Sequence, residues 1–139
     1  MKSIIAFLFL GVVITPIFLS QKSEFIKVKV IHVYDGDTFT VNIENWHPIV
    51  GEKMPVRVSG IDAPELSDDR EHIHKLAIEA RDFLRKYLTD KDVRLINVKR
   101  DKYFRLNADV MVNGENLKDV MIDNNLAKPY NGKKKPVWD

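Results

Sequence analysis

The chain contains no cysteine among its 139 residues, which excludes disulfides, thiolate catalysis and cysteine-ligated zinc. That absence is silent on compartment, because a domain with an adequate core needs no disulfide even where one would form. Charge of one sign is also scarce. The formal net charge is +2, and it falls to +1 if Lys2 is lost with an N-terminal leader. A protein that coats nucleic acid non-specifically carries a large basic excess, since phosphate neutralisation supplies most of its affinity. A catalyst acting on a phosphate ester needs positive charge only around one phosphate, so near balance slightly favours catalysis over passive binding. No segment repeats, and no Gly-x-Ser-x-Gly elbow or serine triad is present. His72 and His74 stand two apart on an expected helix and share no face, while His32 and His47 lack partners at metal-site spacing. The length allows one domain with a real core and not two.

Only one long hydrophobic run is present. Lys2 precedes Ser3–Ser20, an 18-residue stretch without a charge and broken only by Gly11 and Pro16. Such a run belongs in lipid or in a translocation channel. It is short for a permanent span and long for a signal peptide, and Phe18-Leu19-Ser20 is a poor small-x-small cleavage signal. Residues 1–20 are therefore expected to be a signal peptide or an N-terminal membrane anchor. In both cases one lysine before the run and a charged domain after it place the domain outside the cytoplasm, secreted or membrane-anchored through residues 3–20.

Residues 21–24 form a short polar joint, and from residue 25 the pattern is that of strands. Ile26, Val28 and Val30 alternate with Lys27 and Lys29; Phe39, Val41 and Ile43 alternate with Thr40 and Asn42 beyond an Asp35-Gly36 turn; Met54, Val56 and Val58 flank Arg57. A loop at 45–53 separates the second and third strands. The period then changes to 3.6, with Ile73, Leu76, Ala77, Ala80, Phe83, Leu84 and Tyr87 striping a helix over about residues 70–88. Residues 93–99 and 106–112 read as two further strands. An Asn113-Gly114 turn follows, then a short helix whose Asn116 and Asp119 have capping-box spacing. The expected fold class is α+β, mainly β with helices: five short strands forming a small barrel flanked by helices.

Three polar clusters interrupt these elements: Asp35-Gly36-Asp37-Thr38, Arg57 to Glu65 (Arg-Val-Ser-Gly-Ile-Asp-Ala-Pro-Glu), and Asp101-Lys102-Tyr103-Phe104-Arg105. They offer carboxylates for a hard, oxygen-liganded cation, two guanidiniums able to fork onto a phosphate, and a carboxylate three residues beyond a ligand-type aspartate. Those are the parts needed for phosphodiester hydrolysis. Asp35 also has a plain reading as a turn residue, Glu65 as a solvated helix or loop start, and Lys133-Lys134-Lys135 as a solvated tail with nucleic-acid backbone as its second option.

The same three blocks, in this order over residues 25–130, resemble the staphylococcal (micrococcal) nuclease-like, or thermonuclease, family. The resemblance implies an OB-fold barrel with a surface active site that binds Ca²⁺ through the carboxylates of Asp37 and Asp62 and the main-chain carbonyl of Ala63. It implies Glu65 as the group that activates or orients water, Arg57 and Arg105 as the phosphate-binding arginines, and Tyr130 near a nucleotide pocket. The implied activity is Ca²⁺-dependent cleavage of DNA and RNA with little sequence specificity, leaving 3′-phosphate ends, and no obligate protein partner is inferred. The chain departs from the family pattern at Ala63, which replaces a hydroxyl residue, at Phe104, which replaces glycine, at Asn107, and in residues 131–139, a short basic tail where longer members continue into a helix. Tyr103 and Trp138 read as packing residues, and Arg81, Arg85, Arg94 and Arg100 as solvated. The rival reading is a noncatalytic OB-fold module that binds nucleic acid or protein outside the cytoplasm.

Overall fold

Alternation of apolar and polar residues sets the strands of a closed barrel. A computed structural model describes residues 24–139; the leader expected at 1–20 lies outside them. Strands β1 (Ile26–Val33), β2 (Thr38–Asn42) and β3 (Met54–Val58) form an antiparallel meander. After a short helix, α1 (Pro48–Gly51), within the 45–53 loop, and a two-residue strand, β4 (Ile61–Asp62), comes the long helix α2 (Glu71–Leu88). Strands β5 (Val93–Arg100) and β6 (Leu106–Val112) follow, then β7 (Glu115–Asn116), α3 (Leu117–Asp123) and β8 (Lys128–Pro129).

The sheet runs β3-β2-β1-β5-β6, and a parallel pairing of β3 with β6 closes it. The result is the expected five-stranded, mixed OB-fold barrel, which removes the open edges an unclosed sheet would leave. β4 pairs separately with β8, a contact between short segments with no sequence periodicity to announce it.

Each strand buries its apolar face. Phe39, Val41, Met54, Val56, Val58, Val93, Leu95, Leu106, Ala108, Val110 and Val112 all lie in one core. In β1 the expected face holds only to Val30. A register shift between Val30 and His32 leaves Ile31 exposed and turns Val33 inward, because a bulge inserts one residue and reverses the period-two alternation beyond it. A second shift, between Ile96 and Lys99, bends β5.

Helix α2 packs Ile73, Ala77, Ala80, Leu84 and Leu88 inward, with Leu76, Phe83 and Tyr87 partly buried beside them. Truncating a residue such as Leu84 would cost roughly 2–5 kcal/mol in lost transfer and cavity energy. At α3, Asn116 caps the helix by accepting the Lys118 amide at 3.0 Å. Among the described residues no helix is long and apolar enough to cross a membrane.

Candidate active site

The turn between β1 and β2 is built by its own side chains. Asp35 Oδ1 accepts the Asp37 amide at 3.0 Å, and Tyr34 N–H donates to the Thr38 carbonyl at 3.0 Å. This is an Asx-type turn, so the plain reading of Asp35 as a turn residue holds. Gly36 is required by close approach: a Cβ there would sit 2.7 Å from the Ala63 methyl and 2.8 Å from that of Ala80. The turn is thereby pressed between β4 and α2.

Asp37 is consequently buried and stitched across three elements. Its carbonyl accepts the Val58 amide at 2.9 Å, its Oδ2 accepts the Ala63 amide at 2.7 Å, and its Oδ1 accepts the Thr38 hydroxyl at 3.0 Å. Asp62, on β4, is also buried. Arg57 stands opposite Thr38 on β3 and reaches both acids, with Nη1 3.1 Å from Asp37 Oδ2 and Nη2 3.4 Å from Asp62 Oδ1. One guanidinium therefore serves two carboxylates. Burial, with Asp35 adding like charge, outweighs Arg57 and pushes the Asp37 carboxyl up to about 7.

This donor set fits a hard divalent cation. Two buried carboxylates share one arginine, Asp62 receives its donors only at 3.4–3.6 Å, and burial raises the Asp37 carboxyl in spite of Arg57. Among the described residues no three acidic or histidine side chains gather into a metal cluster, so a cation here would complete its shell with main-chain oxygen and water, as Ca²⁺ does.

Glu65 lies one step outward, its side chain half exposed after buried Pro64. It is bound by Lys135, whose Nζ is 2.5 Å from Glu65 Oε1 and 3.6 Å from Asp62 Oδ1. The bond to Glu65 holds the Lys135 ammonium above the usual lysine range. The expectation of a solvated tail holds for the exposed Lys133 and Lys134 and is corrected for Lys135 alone, which reaches the acids because β8, Gly132 and Trp138 fold the last residues back over β4.

Arg105 is positioned by the tight turn before β6. Asp101 Oδ1 accepts the amides of Tyr103 and Arg105 at 2.8 and 3.0 Å, and Asp101 Oδ2 accepts Arg105 Nε at 2.8 Å. Burial works to raise the Asp101 carboxyl, but the Arg105 amide and guanidinium together with the Tyr103 amide hold it below its ordinary range. Phe104, in the glycine position of the turn, takes φ of +65°, where a side chain costs roughly 1–2 kcal/mol. Its ring is covered by the Arg100 guanidinium at 4.2 Å, so Phe104 leans away along β5.

Asp37, Arg57, Glu65, Arg105, Tyr130 and Lys135 line one cleft of about 660 Å³, with Tyr34 and Tyr103 at its mouth. Tyr103 is 65% exposed there, which corrects its reading as a packing residue. Trp138 is half-buried and packs as expected, its indole N–H donating to Asp62 Oδ2 at 3.4 Å and Lys128 lying over the ring. Of the arginines read as solvated, Arg81 and Arg85 pair with Asp82, Arg94 pairs with Asp92, and none of the four lines the cleft. Sequence reasoning missed Asp101 and Lys135. Asp101 opens the third block, four residues before Arg105, a spacing that pointed to a pairing, whereas Lys135 is one of three like neighbours and carried no signal.

Residues 55–137, more than half of the chain, match the family model described as staphylococcal nuclease homologue. Similar proteins include a probable endonuclease of Pyricularia oryzae, 32% identical over 86% of this chain and 54% of its own length. A thermonuclease of Staphylococcus hyicus is 32% identical over 72% of this chain and 57% of its own length. An uncharacterized protein of Bacillus anthracis is 38% identical over 70% of this chain and 44% of its own. The chain thus spans about half the length of the curated relatives it matches. With the barrel, and with Asp37, Arg57 and Arg105 on one cleft, these matches establish that the chain belongs to the staphylococcal nuclease homologue family.

Proposed function

We propose that this domain is a Ca²⁺-dependent nuclease that hydrolyses phosphodiester bonds in DNA and RNA with low sequence specificity, leaving 3′-phosphate ends. The observation that carries the reading is the convergence of Asp37, Glu65, Arg57 and Arg105 on one cleft, with buried Asp62 held to Arg57 at 3.4 Å, drawn from three separate parts of the chain. Nuclease names among the relatives support the reaction class.

The residues divide the work by burial and charge. Asp37, Asp62 and the Ala63 carbonyl would hold Ca²⁺, which would supply positive charge to polarise a phosphate and a nearby water. Glu65, exposed enough to meet solvent yet fixed at its stem by Pro64, orients that water and accepts its proton. Arg105, braced by Asp101, offers its fork to the nonbridging oxygens, where charge grows during in-line attack. Arg57, held between Asp37 and Asp62, adds a second guanidinium on the cleft wall for the same oxygens. Tyr34, Tyr103 and Tyr130 give bases flat faces to stack on, a contact every base can make. That supports weak sequence preference and a single-stranded substrate. The apolar run before the domain supports a site of action outside the cytoplasm.

The test is incubation of the full chain with single-stranded DNA and with RNA, in Ca²⁺ and in chelator, with end-group analysis of the products. Cleavage in Ca²⁺ alone, yielding 3′-phosphates, is expected. A folded protein that leaves both substrates intact would establish the noncatalytic module instead, and equal cleavage in chelator would remove the metal mechanism.

A further inference from the structure

We propose that Lys135 is a positioning residue of this site, a cation delivered by the C-terminal segment that holds Glu65 against the aspartate pair. The inference rests on the hydrolytic reading of the cleft and adds to it a residue outside the three polar blocks.

The segment is fastened at several points. Tyr130 N–H donates to the Gly60 carbonyl at 2.9 Å, Gly132 turns the chain with φ of +83°, and Lys128 Nζ donates to the Val137 carbonyl at 2.7 Å. Arg70 Nη1 donates to the Trp138 carbonyl at 2.5 Å, and the Trp138 indole reaches Asp62. These bonds bracket Lys135 and aim one of three adjacent lysines at the carboxylates. Lys133 and Lys134 meet no acidic side chain within 4.0 Å among the described residues.

Stability does not account for this arrangement. Both members of the Lys135–Glu65 pair are more than half exposed, at 58% and 53%, and exposed ion pairs contribute little to folding. What the contact does is local. It orders the Glu65 carboxylate, which otherwise extends from a loop, and brings a third positive charge into the cleft that Arg57 and Arg105 line. The ammonium stands 3.6 Å from Asp62, so it also competes with any cation held by that acid.

Both effects are measurable with Lys135→Met, Lys135→Arg and the neighbouring control Lys134→Met in the full chain. Calorimetric titration with Ca²⁺ alone reads the competition without any turnover. Lys135→Met should bind Ca²⁺ about ten-fold more tightly, as expected when one nearby like charge is removed, with the arginine and control variants close to wild type. Single-turnover cleavage of single-stranded DNA at saturating Ca²⁺ reads the positioning. There Lys135→Met should lose roughly ten-fold or more in rate with little change in KM, and Lys135→Arg should recover most of it.

Unchanged Ca²⁺ affinity together with unchanged rate would overturn the assignment and return Lys135 to the solvated tail. A raised KM at unchanged kcat and Ca²⁺ affinity would also overturn it, making Lys135 a substrate-binding group only. If wild type binds Ca²⁺ and cleaves nothing, the nuclease reading fails; tighter Ca²⁺ binding by Lys135→Met would still uphold the placement of its ammonium on the acidic site.

Discussion

Asp37 Oδ2 accepts the Ala63 amide at 2.7 Å, fastening the β1–β2 turn to β4 from inside the protein. The bond helps a charge that its surroundings disfavour. Burial outweighs it and Arg57 together, and the Asp37 carboxyl rises from 3.8 to about 7. The folded state then binds more protons than the unfolded state across that interval. The stability Asp37 contributes is fully present below pH 3.8 and is lost as pH rises through about 7. In chelator, wild type should therefore lose a few kcal/mol from this group over the window, and Asp37→Asn should flatten the profile. Thermal melts by circular dichroism check this; parallel profiles for the two proteins would show that Asp37 is not the group responsible. Added Ca²⁺ should restore wild-type stability at about pH 8, above the Asp37 titration, and leave the variant unmoved.

Glu65→Gln keeps the shape of the side chain and removes its negative charge. Turnover is expected to drop by roughly 10²-fold or more, with substrate affinity largely retained. Single-turnover kinetics beside a direct binding measurement separates the two. A variant that turns over like wild type while folded would show that water is handled by another group.

Arg105→Lys retains one positive charge and loses the planar fork, so kcat should fall much more than KM rises. Because Asp101 holds both the Arg105 amide and its Nε, Asp101→Ala should give a milder fall of the same kind. Arg85→Lys, distant from the cleft, should leave kinetics unchanged. Equal single-turnover rates for wild type and Arg105→Lys would remove the clamp assignment.

Gly36→Ala forces a methyl to 2.7 Å from Ala63 and 2.8 Å from Ala80. Neither neighbour is flexible, so relief requires backbone movement at about 1–3 kcal/mol. The melting temperature should fall and Ca²⁺ affinity should weaken with it, since Ala63 adjoins Asp62. A lower melting temperature with unaltered Ca²⁺ affinity would show that the strain is relieved into α2 and away from β4.

Hydrophobic periodicity alone located the barrel strands and the long helix, because each buries a continuous face and so must repeat with the period of its own geometry. The plainest case is β6, where Leu106, Ala108, Val110 and Val112 alternate without fault and all four are buried. The sequence also determined the chemistry on offer, since Asp37, Arg57, Asp62, Glu65 and Arg105 sit in three compact blocks of recognisable order. Other features were decided only by tertiary structure. The bulge at Ile31 reverses which side of β1 faces inward and leaves no mark on hydrophobic pattern. Pairing of β4 with β8 joins distant residues through main-chain bonds, to which side-chain identity is nearly indifferent. Arg57 stood out in the sequence as a guanidinium on the polar face of its strand, but its sharing between Asp37 and Asp62 arises from strands that meet only when the barrel closes. Lys135 shows the limit most clearly. Lys133, Lys134 and Lys135 are chemically identical, and only the path of the chain through Gly132 and Trp138 selects the one whose ammonium reaches Glu65.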